Sequence, residues 1–335
     1  MPAVCLKFNI AASPKNIEIF RTGRIVGRDD DKEHYGLIES VQLETDAEDG
    51  DDLIVSGRFL MCLLERRIIY PTFNFTKKVS YAQIVNNVVY YNACRTGARK
   101  IPGLSIGDSS GSCWNQDTKL QISYDNLMKW VYTICEKIGG TANIRLSKTT
   151  DEQYEMLLEL SEGTDRSILQ EDNPYIVFSD GYNILLSFSY STDSFVQRNY
   201  AYILGKCEGE ERKRTTYCDG NEPEHLDRYE VYVDAKDMAD EEQEDGAAKP
   251  IPDAEYINLL QEKGKESMVQ PLVVSESQIA VQQAQFRYGV DYFVGDYVTV
   301  EHRRFGLRQN KIQLIGMIES FDQNGRNLTP TFKEV

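Results

Sequence analysis

The residues best placed to do chemistry are Gly107-Asp108-Ser109-Ser110-Gly111, which spell the G-x-S-x-G pattern of a nucleophile elbow. In that motif a strand delivers the serine onto a tight turn and a helix leaves it. The hydroxyl is thereby exposed beside backbone N–H groups that stabilise an oxyanion. Here Pro102 and Gly103 precede the pattern, and Ser112-Cys113-Trp114-Asn115 follows it without helical spacing. The segment reads as a polar loop. A base for such a serine would have to be His34, His225 or His302, which lie far apart in sequence. They form no HExxH and share no zinc spacing with a cysteine. Distant histidines can converge in a fold, but surface or satisfied-core positions explain them more simply. Asp29-Asp30-Asp31 and the run Asp46 to Asp52 carry oxygen ligands, yet the second lacks the full order of a calcium loop. Both read as solvated hairpin turns. The glycines form neither GxGxxG nor GxxxxGK[ST], so no nucleotide site is expected. Cys5, Cys62, Cys94, Cys113, Cys135, Cys207 and Cys218 are odd in number, scattered and without a CxxC pair, which suits reduced thiols used as small hydrophobes. The sequence thus nominates no catalytic, cofactor-binding or metal-binding residue.

The elements that would position any site change character along the chain. To about Tyr70 the pattern is β: Asn16–Phe20, Gly23–Gly27, Tyr35–Glu44 and Leu53–Phe59 are short segments bounded by Gly and Asp clusters. A helical turn is expected around Leu60, Leu63 and Leu64. Ser80 with Gln83 forms a capping-box pattern ahead of Ile84, Val85, Val88 and Val89 at helical spacing. After a Gly-, Ser- and Asp-rich loop over 97–117, Leu127, Trp130, Val131, Ile134 and Ile138 define a second helix. Ser123 is its candidate cap, and Lys137 and Gly139-Gly140 mark its end. A shorter helix is expected over Glu152–Leu160. From Asn173 the pattern returns to β, with strands at Tyr175–Ser179, Ile184–Tyr190, Tyr200–Gly205 and Tyr229–Ala235. An acidic stretch, Asp234–Asp245, leads into a helix at Asp253–Lys263 closed by Gly264; it reads as a solvated excursion, with an exposed clamp as the alternative. Strands then resume at Gln278–Gln282, Tyr288–Tyr292, Tyr297–Glu301 and Lys311–Glu319. Val294-Gly295-Asp296 and Asn324-Gly325 supply the hairpin turns. No repeat of solenoid length is visible.

The bulk properties bound the class. A chain of 335 residues is expected to hold two or three domains. No apolar run reaches the length of a bilayer crossing, and Met1–Ile10 lacks the pattern of a signal peptide, so folding in a cytoplasm is expected. The net charge of −16 argues against specific nucleic-acid binding, which needs a basic face to displace counterions. It suits solubility first, and second a conduit that does not hold a passing polyanion. Twenty tyrosines suit interfaces or sugar platforms, or simply strand surfaces; composition leaves both readings open.

Three segments carry a family likeness when taken in order. They are Gly57-Arg58-Phe59-Leu60 through Leu64-Glu65-Arg66-Arg67-Ile68-Ile69, then Asn199–Gly205 with Leu226–Ala235, then Tyr288–Val300 closing at Thr329-Pro330-Thr331-Phe332. Together they resemble the siphovirus tail-hub-like proteins in tail modules of phages and prophages of Gram-positive bacteria. The resemblance implies an α+β, β-rich, baseplate-hub-like fold: an N-terminal β-barrel-like domain over 1–75, an α+β middle over 76–170, and a second β-barrel-like domain over 171–335 with an acidic and helical insertion at 236–268. It further implies a structural, non-enzymatic homotrimer at the virion tail tip, assembled in the host cytoplasm. The implied partners are a distal tail or tube-adaptor protein, the tape measure protein, and tip or fibre proteins. Neither specific nucleic-acid binding nor stable membrane insertion is implied. A receptor- or carbohydrate-binding tail protein is the alternative, and a cell-wall hydrolase a weaker one.

Overall fold

Period-two hydrophobicity makes the N-terminal region a sheet. The computed structural model describes residues 5–46, 50–148, 153–182, 185–207, 212–244, 247–269, 272–279, 286–322 and 325–334. Strands β1 (Cys5–Ala11), β2 (Ile25–Arg28), β3 (Asp31–Asp46) and β4 (Gly50–Phe59) form an antiparallel sheet in the order β1-β4-β3-β2. Leu53 lies opposite both Ile10 and Leu43, and Val55 opposite Phe8 and Val41. One face therefore gathers Ile38, Leu53 and Val55 in a core that Phe8, Ile10 and Phe20 complete. Gly57 is required by the pairing, since a Cβ there would stand 1.9 Å from the Leu37 carbonyl oxygen.

These strands belong to a first unit made of Met1–Phe73, Val79–Asp117 and Ile122–Ser161. It includes the helices α1 (Pro14–Ile19), α2 (Cys62–Glu65), α3 (Tyr81–Val89) and α4 (Leu127–Ile138), and the sheet β6-β9-β8 (Leu104–Ser109, Tyr154–Glu162, Gly140–Lys148). Ser80 caps α3 as its sequence expects, accepting from the Gln83 N–H at 3.3 Å. The cap of α4 is Asn126, not Ser123: its Oδ1 accepts from the Lys129 N–H at 3.1 Å. Tyr124, at φ +54°, turns the chain between Ser123 and the helix. Gly139 closes α4 in the left-handed conformation at φ +70°.

Three further expectations are corrected in this unit. Asn16–Phe20 lies mostly in helix α1, because Ser13 caps it and Pro14 opens its first turn. The expected loop over 97–117 contains strand β6, which pairs in parallel with β9. The helix expected over Glu152–Leu160, whose first residue lies outside the described residues, is replaced by the strand Tyr154–Glu162, whose Met156, Leu158 and Leu160 alternate into the interior.

The second unit comprises Asn74–Lys78, Thr118–Gln121 and Glu162–Val335, so the middles of the paired strands β5 (Phe73–Ser80) and β7 (Asp117–Ile122) group with it. Its largest sheet has six strands in the order β10-β18-β19-β20-β17-β11 (Val177–Ser179, Tyr297–His302, Leu307–Asp322, Gly325–Glu334, Leu272–Ile279, Leu185–Asp193). Register shifts at Val298/Val300 and Leu314/Gly316 bend it, and it curls into a half-barrel around Phe178, Tyr292, Val298, Leu314 and Phe332. A second sheet, β13-β12-β14 (Arg214–Cys218, Tyr200–Leu204, Glu230–Asp234), packs Ala201, Ile203 and Val233 against Tyr256, Leu259 and Leu260 of helix α5 (Asp253–Glu266). A hairpin, β15 (Glu241–Glu244) with β16 (Ala247–Pro250), occupies the acidic excursion.

The fold is α+β and β-rich, with one partial barrel among the described residues instead of the two expected. The N-terminal sheet stays open because β1 and β2, its end strands, each pair on one side only among those residues. Strand β13 went unanticipated. Tyr288–Tyr292 is a turn, held by the Gly289 N–H on the Tyr292 carbonyl at 3.0 Å, and not a strand. Gly264 lies inside α5, because helix and sheet approach until a Cβ there would stand 2.6 Å from Ile203. Residues 280–282 of the expected strand Gln278–Gln282, and Asn324 of the expected turn, lie outside the described residues. No helix among the described residues is long and apolar enough to cross a membrane.

Candidate assembly surfaces

The residues that sequence singled out for chemistry are not gathered into a reaction centre. Ser109 ends β6, exposed, and its Oγ accepts from Asn86 Nδ2 at 3.0 Å; no helix follows it directly. His34 sits 2.9 Å from Asp31 Oδ2, His302 lies 3.1 Å from Asp180 Oδ2, and the exposed His225 faces Glu224 at 3.7 Å. Each histidine thus answers its own carboxylate. In the run Asp29–Asp31, Arg28 pairs with Asp30 at 2.6 Å and His34 lies against Asp31, so two of the three carboxylates are engaged by side chains. The run Asp46–Asp52 lies partly outside the described residues. Among the described residues, no cluster of His, Cys, Asp and Glu has metal-binding geometry.

One polar group was not anticipated from sequence. Ser179 Oγ donates to Glu301 Oε1 at 2.8 Å, and Arg303 Nε donates to the same oxygen at 2.7 Å. Ser179 is completely buried, and its bond to Glu301 ties β10 to β18. Burial pushes the Glu301 carboxyl up, but the Arg303 and Ser179 contacts outweigh it and hold the group below its ordinary range.

What the structure does present is surface rich in tyrosine and arginine. On the face of β13-β12-β14 away from α5, Tyr202 stands opposite Tyr232. Arg228 stacks 3.6 Å above the Tyr200 ring and donates to Glu222, Glu230 and the Tyr202 hydroxyl. Arg212 bridges the Tyr232 hydroxyl and Asp234. These links tie the tyrosines to arginine while Tyr202 and Tyr232 remain open to solvent. A separate cleft of about 250 Å³ is lined by Arg166, Tyr175, Ile176, Phe286 and Asp291. Arg166 is anchored there by Asp296, a buried carboxylate that also accepts from the Thr164 and Phe293 N–H groups. The tyrosine count hinted at such faces; the arginines that order them are spread through the sequence and gave no signal.

A curled β-sheet half-barrel with mixed α+β regions is a fold this chain shares with phage tail proteins. The Siphovirus ReqiPepy6 Gp37-like protein family matches residues 6–332, and the chain belongs to that family of structural, non-catalytic tail proteins. Solved structures share the fold. A tail protein from Neisseria meningitidis MC58 is 13% identical, with a TM-score of 0.54 over 90% of this chain and 80% of that one. The prophage MuSo2 43 kDa tail protein from Shewanella oneidensis is 12% identical, at 0.55 over 98% and 88%. Prophage tail protein gp18 from Listeria monocytogenes EGD-e is 11% identical, at 0.51 over 98% and 84%. No curated protein matches the sequence significantly.

Proposed function

We propose that the chain is the hub of a phage or phage-like tail tip. Three copies form a ring that joins the tail tube to the tip and surrounds the channel for the tape measure and then DNA. The observation that carries this reading is the six-stranded half-barrel, an open curled sheet in a chain of a tail-protein family. An open sheet in a tail assembly is completed most economically by neighbouring copies, and cyclic symmetry closes such contacts into a ring. In this reading residues 1–75 and 171–335 supply the ring wall, 76–170 the section between them, and 236–268 an excursion from the wall. The partners are the tube-adaptor or distal tail protein, the tape measure protein, and tip or fibre proteins. The net charge of −16 gives a channel wall that repels a passing polyanion.

Light scattering after size-exclusion chromatography tests the ring: the expected mass is three times the 38.3 kDa chain. Gold-labelled antibody on intact particles tests its place. Label at the distal end of the tail supports the hub, and label along the tube or its absence from particles rejects it. The exposed Tyr202 and Tyr232 favour one second reading, a receptor- or carbohydrate-binding tail protein. Free protein that sediments with isolated host envelopes would favour it over the hub.

A further inference from the structure

Between Arg66 and Gly107 the chain has no acidic residue, although 53 are spread over the rest. The same segment holds Arg66, Arg67, Lys77, Lys78, Arg95, Arg99 and Lys100, seven of the 37 basic residues, which leaves a formal −23 on the remainder. Within the first unit the fold gathers most of this charge beside exposed aromatic rings. Arg99 donates to the Tyr70 carbonyl at 3.1 Å, to Asn92 Oδ1 at 2.8 Å and to the Ile68 carbonyl. Arg67 donates to the Arg99 carbonyl at 2.7 Å. Ile69 and Tyr124 exchange the bonds that bring the turn before α4 to the same place: the Tyr124 N–H meets the Ile69 carbonyl, and the Ile69 N–H the Asp125 carbonyl, both at 2.9 Å.

The rings follow from these ties. Tyr70 and Tyr124 approach to 6.0 Å, Tyr90 and Tyr91 to 5.6 Å, and Arg95 lies 5.3 Å over Tyr91. Tyr124 is 69% exposed and Tyr70 55%, and Tyr90 and Tyr91 are open as well. Tyr124 also sits at φ +54°, a conformation that a bulky residue rarely adopts. A strained backbone that presents a large ring to water gains little from packing within one chain. Tyrosine and arginine are the residues that anchor protein interfaces, whereas aspartate and glutamate are depleted there.

We infer that this aromatic, cationic face is a self-association surface that docks on the acidic surface of a second copy of the chain. Charge complementarity selects that occupant: the segment carries seven cations and no carboxylate, whereas the rest of the chain carries a formal −23. A nucleic acid would meet the same cations but would be repelled by the remainder of the molecule. The inference rests on the ring reading above, since it supplies a head-to-tail contact of the kind that closes a ring.

The test compares wild type with Arg95→Glu/Lys100→Glu and with Tyr124→Ala, by light scattering over a concentration series after thermal melts confirm folding. Both variants should require at least about tenfold higher concentration to associate, and high salt should weaken wild-type association in the same direction. In a mixture of isotopically light and heavy chains, carbodiimide should link Lys100 to a carboxylate of the other copy. If the double reversal unfolds the chain, Arg95→Gln/Lys100→Gln gives the same comparison without added charge. Variants that assemble like a trimeric wild type overturn this surface and leave the ring reading standing. A wild type that stays monomeric throughout overturns both. Single-stranded DNA binding that Arg95→Glu abolishes would assign the face to nucleic acid and overturn self-association.

Discussion

Cys135 and Cys94 are buried, and burial pushes their thiols up to about 12 and about 11, so both stay protonated and unreactive at neutral pH. Cys207 is exposed. Alkylation of native protein followed by peptide mapping should therefore label Cys207 well before Cys62, Cys94, Cys113 or Cys135, and Cys207→Ser should remove the fast component. Comparable rates at the buried positions would contradict the packing. Trp114 is fully buried, with its Nε1 donating to the Ser161 carbonyl at 2.7 Å. A Cβ on Gly140 would stand 2.8 Å from its ring, so Gly140→Ala should cost about 1–3 kcal/mol in chemical denaturation. The thiol reading was legible in sequence because count and spacing exclude a framework without reference to the fold. The burial of Trp114 was not, because it lies in a Gly- and Ser-rich stretch whose local grammar is that of a loop.

Helix α4 illustrates what an element reveals before it folds. Its apolar stripe, its Lys137 and its Gly139 all point to one helix, and Trp130 faces the interior with 5% exposure. Trp130→Ala should cost about 3–5 kcal/mol, and a loss under about 1 kcal/mol would contradict its place in the core. The cap is a finer matter. Asn126→Ala should cost about 1 kcal/mol, whereas Ser123→Ala should be close to neutral. Equal costs in urea denaturation would return the cap to Ser123. Tyr154–Glu162 shows the opposite case: Met156-Leu157-Leu158-Glu159-Leu160 fits a period of two or a helical stripe equally well. Pairing with β6 and β8 decides for the strand, and β6 is distant in sequence. Helix α1 reads as β in sequence, because it is too short to display a stripe, although Ser13 caps it and Pro14 opens it.

At the level of the whole molecule, acid should act through carboxylates held by arginine and lysine. Arg58 holds Glu39 below its ordinary range against the opposing effect of burial. For Asp165 burial acts upward, but Lys311 and the Ser167 contacts prevail and bring it down. Glu301 behaves likewise. A carboxylate whose folded pKa is depressed binds protons more readily unfolded. Its contribution is complete above the unfolded value, 4.5 for glutamate, and is lost as pH falls through the lower folded value. Melting temperature should accordingly hold on descent to about pH 5 and fall below it, and Glu301→Gln should flatten that fall; an unchanged slope would remove Glu301 from the account. The β-rich class was legible at this scale through strand composition. The curling of one sheet and the openness of the other were not, because they depend on bulges and on which strands become neighbours, and neither has a local signature.

The strand order of the half-barrel also dictates when it can exist. Its two central strands, β19 and β20, are the last in the chain, while β10 and β11, made earliest, occupy its ends. Val177 must find Thr299, and Leu185 must find Ile279. During synthesis β10 and β11 therefore emerge well before their sheet partners, and the sheet nucleates only when the β19–β20 hairpin has left the ribosome. Nascent chains arrested before residue 325 should remain protease-sensitive across 172–193, while those arrested beyond the hairpin should become resistant. The molecule postpones its own curvature until the β19–β20 hairpin is made, and any assembly through this sheet has to wait for that hairpin.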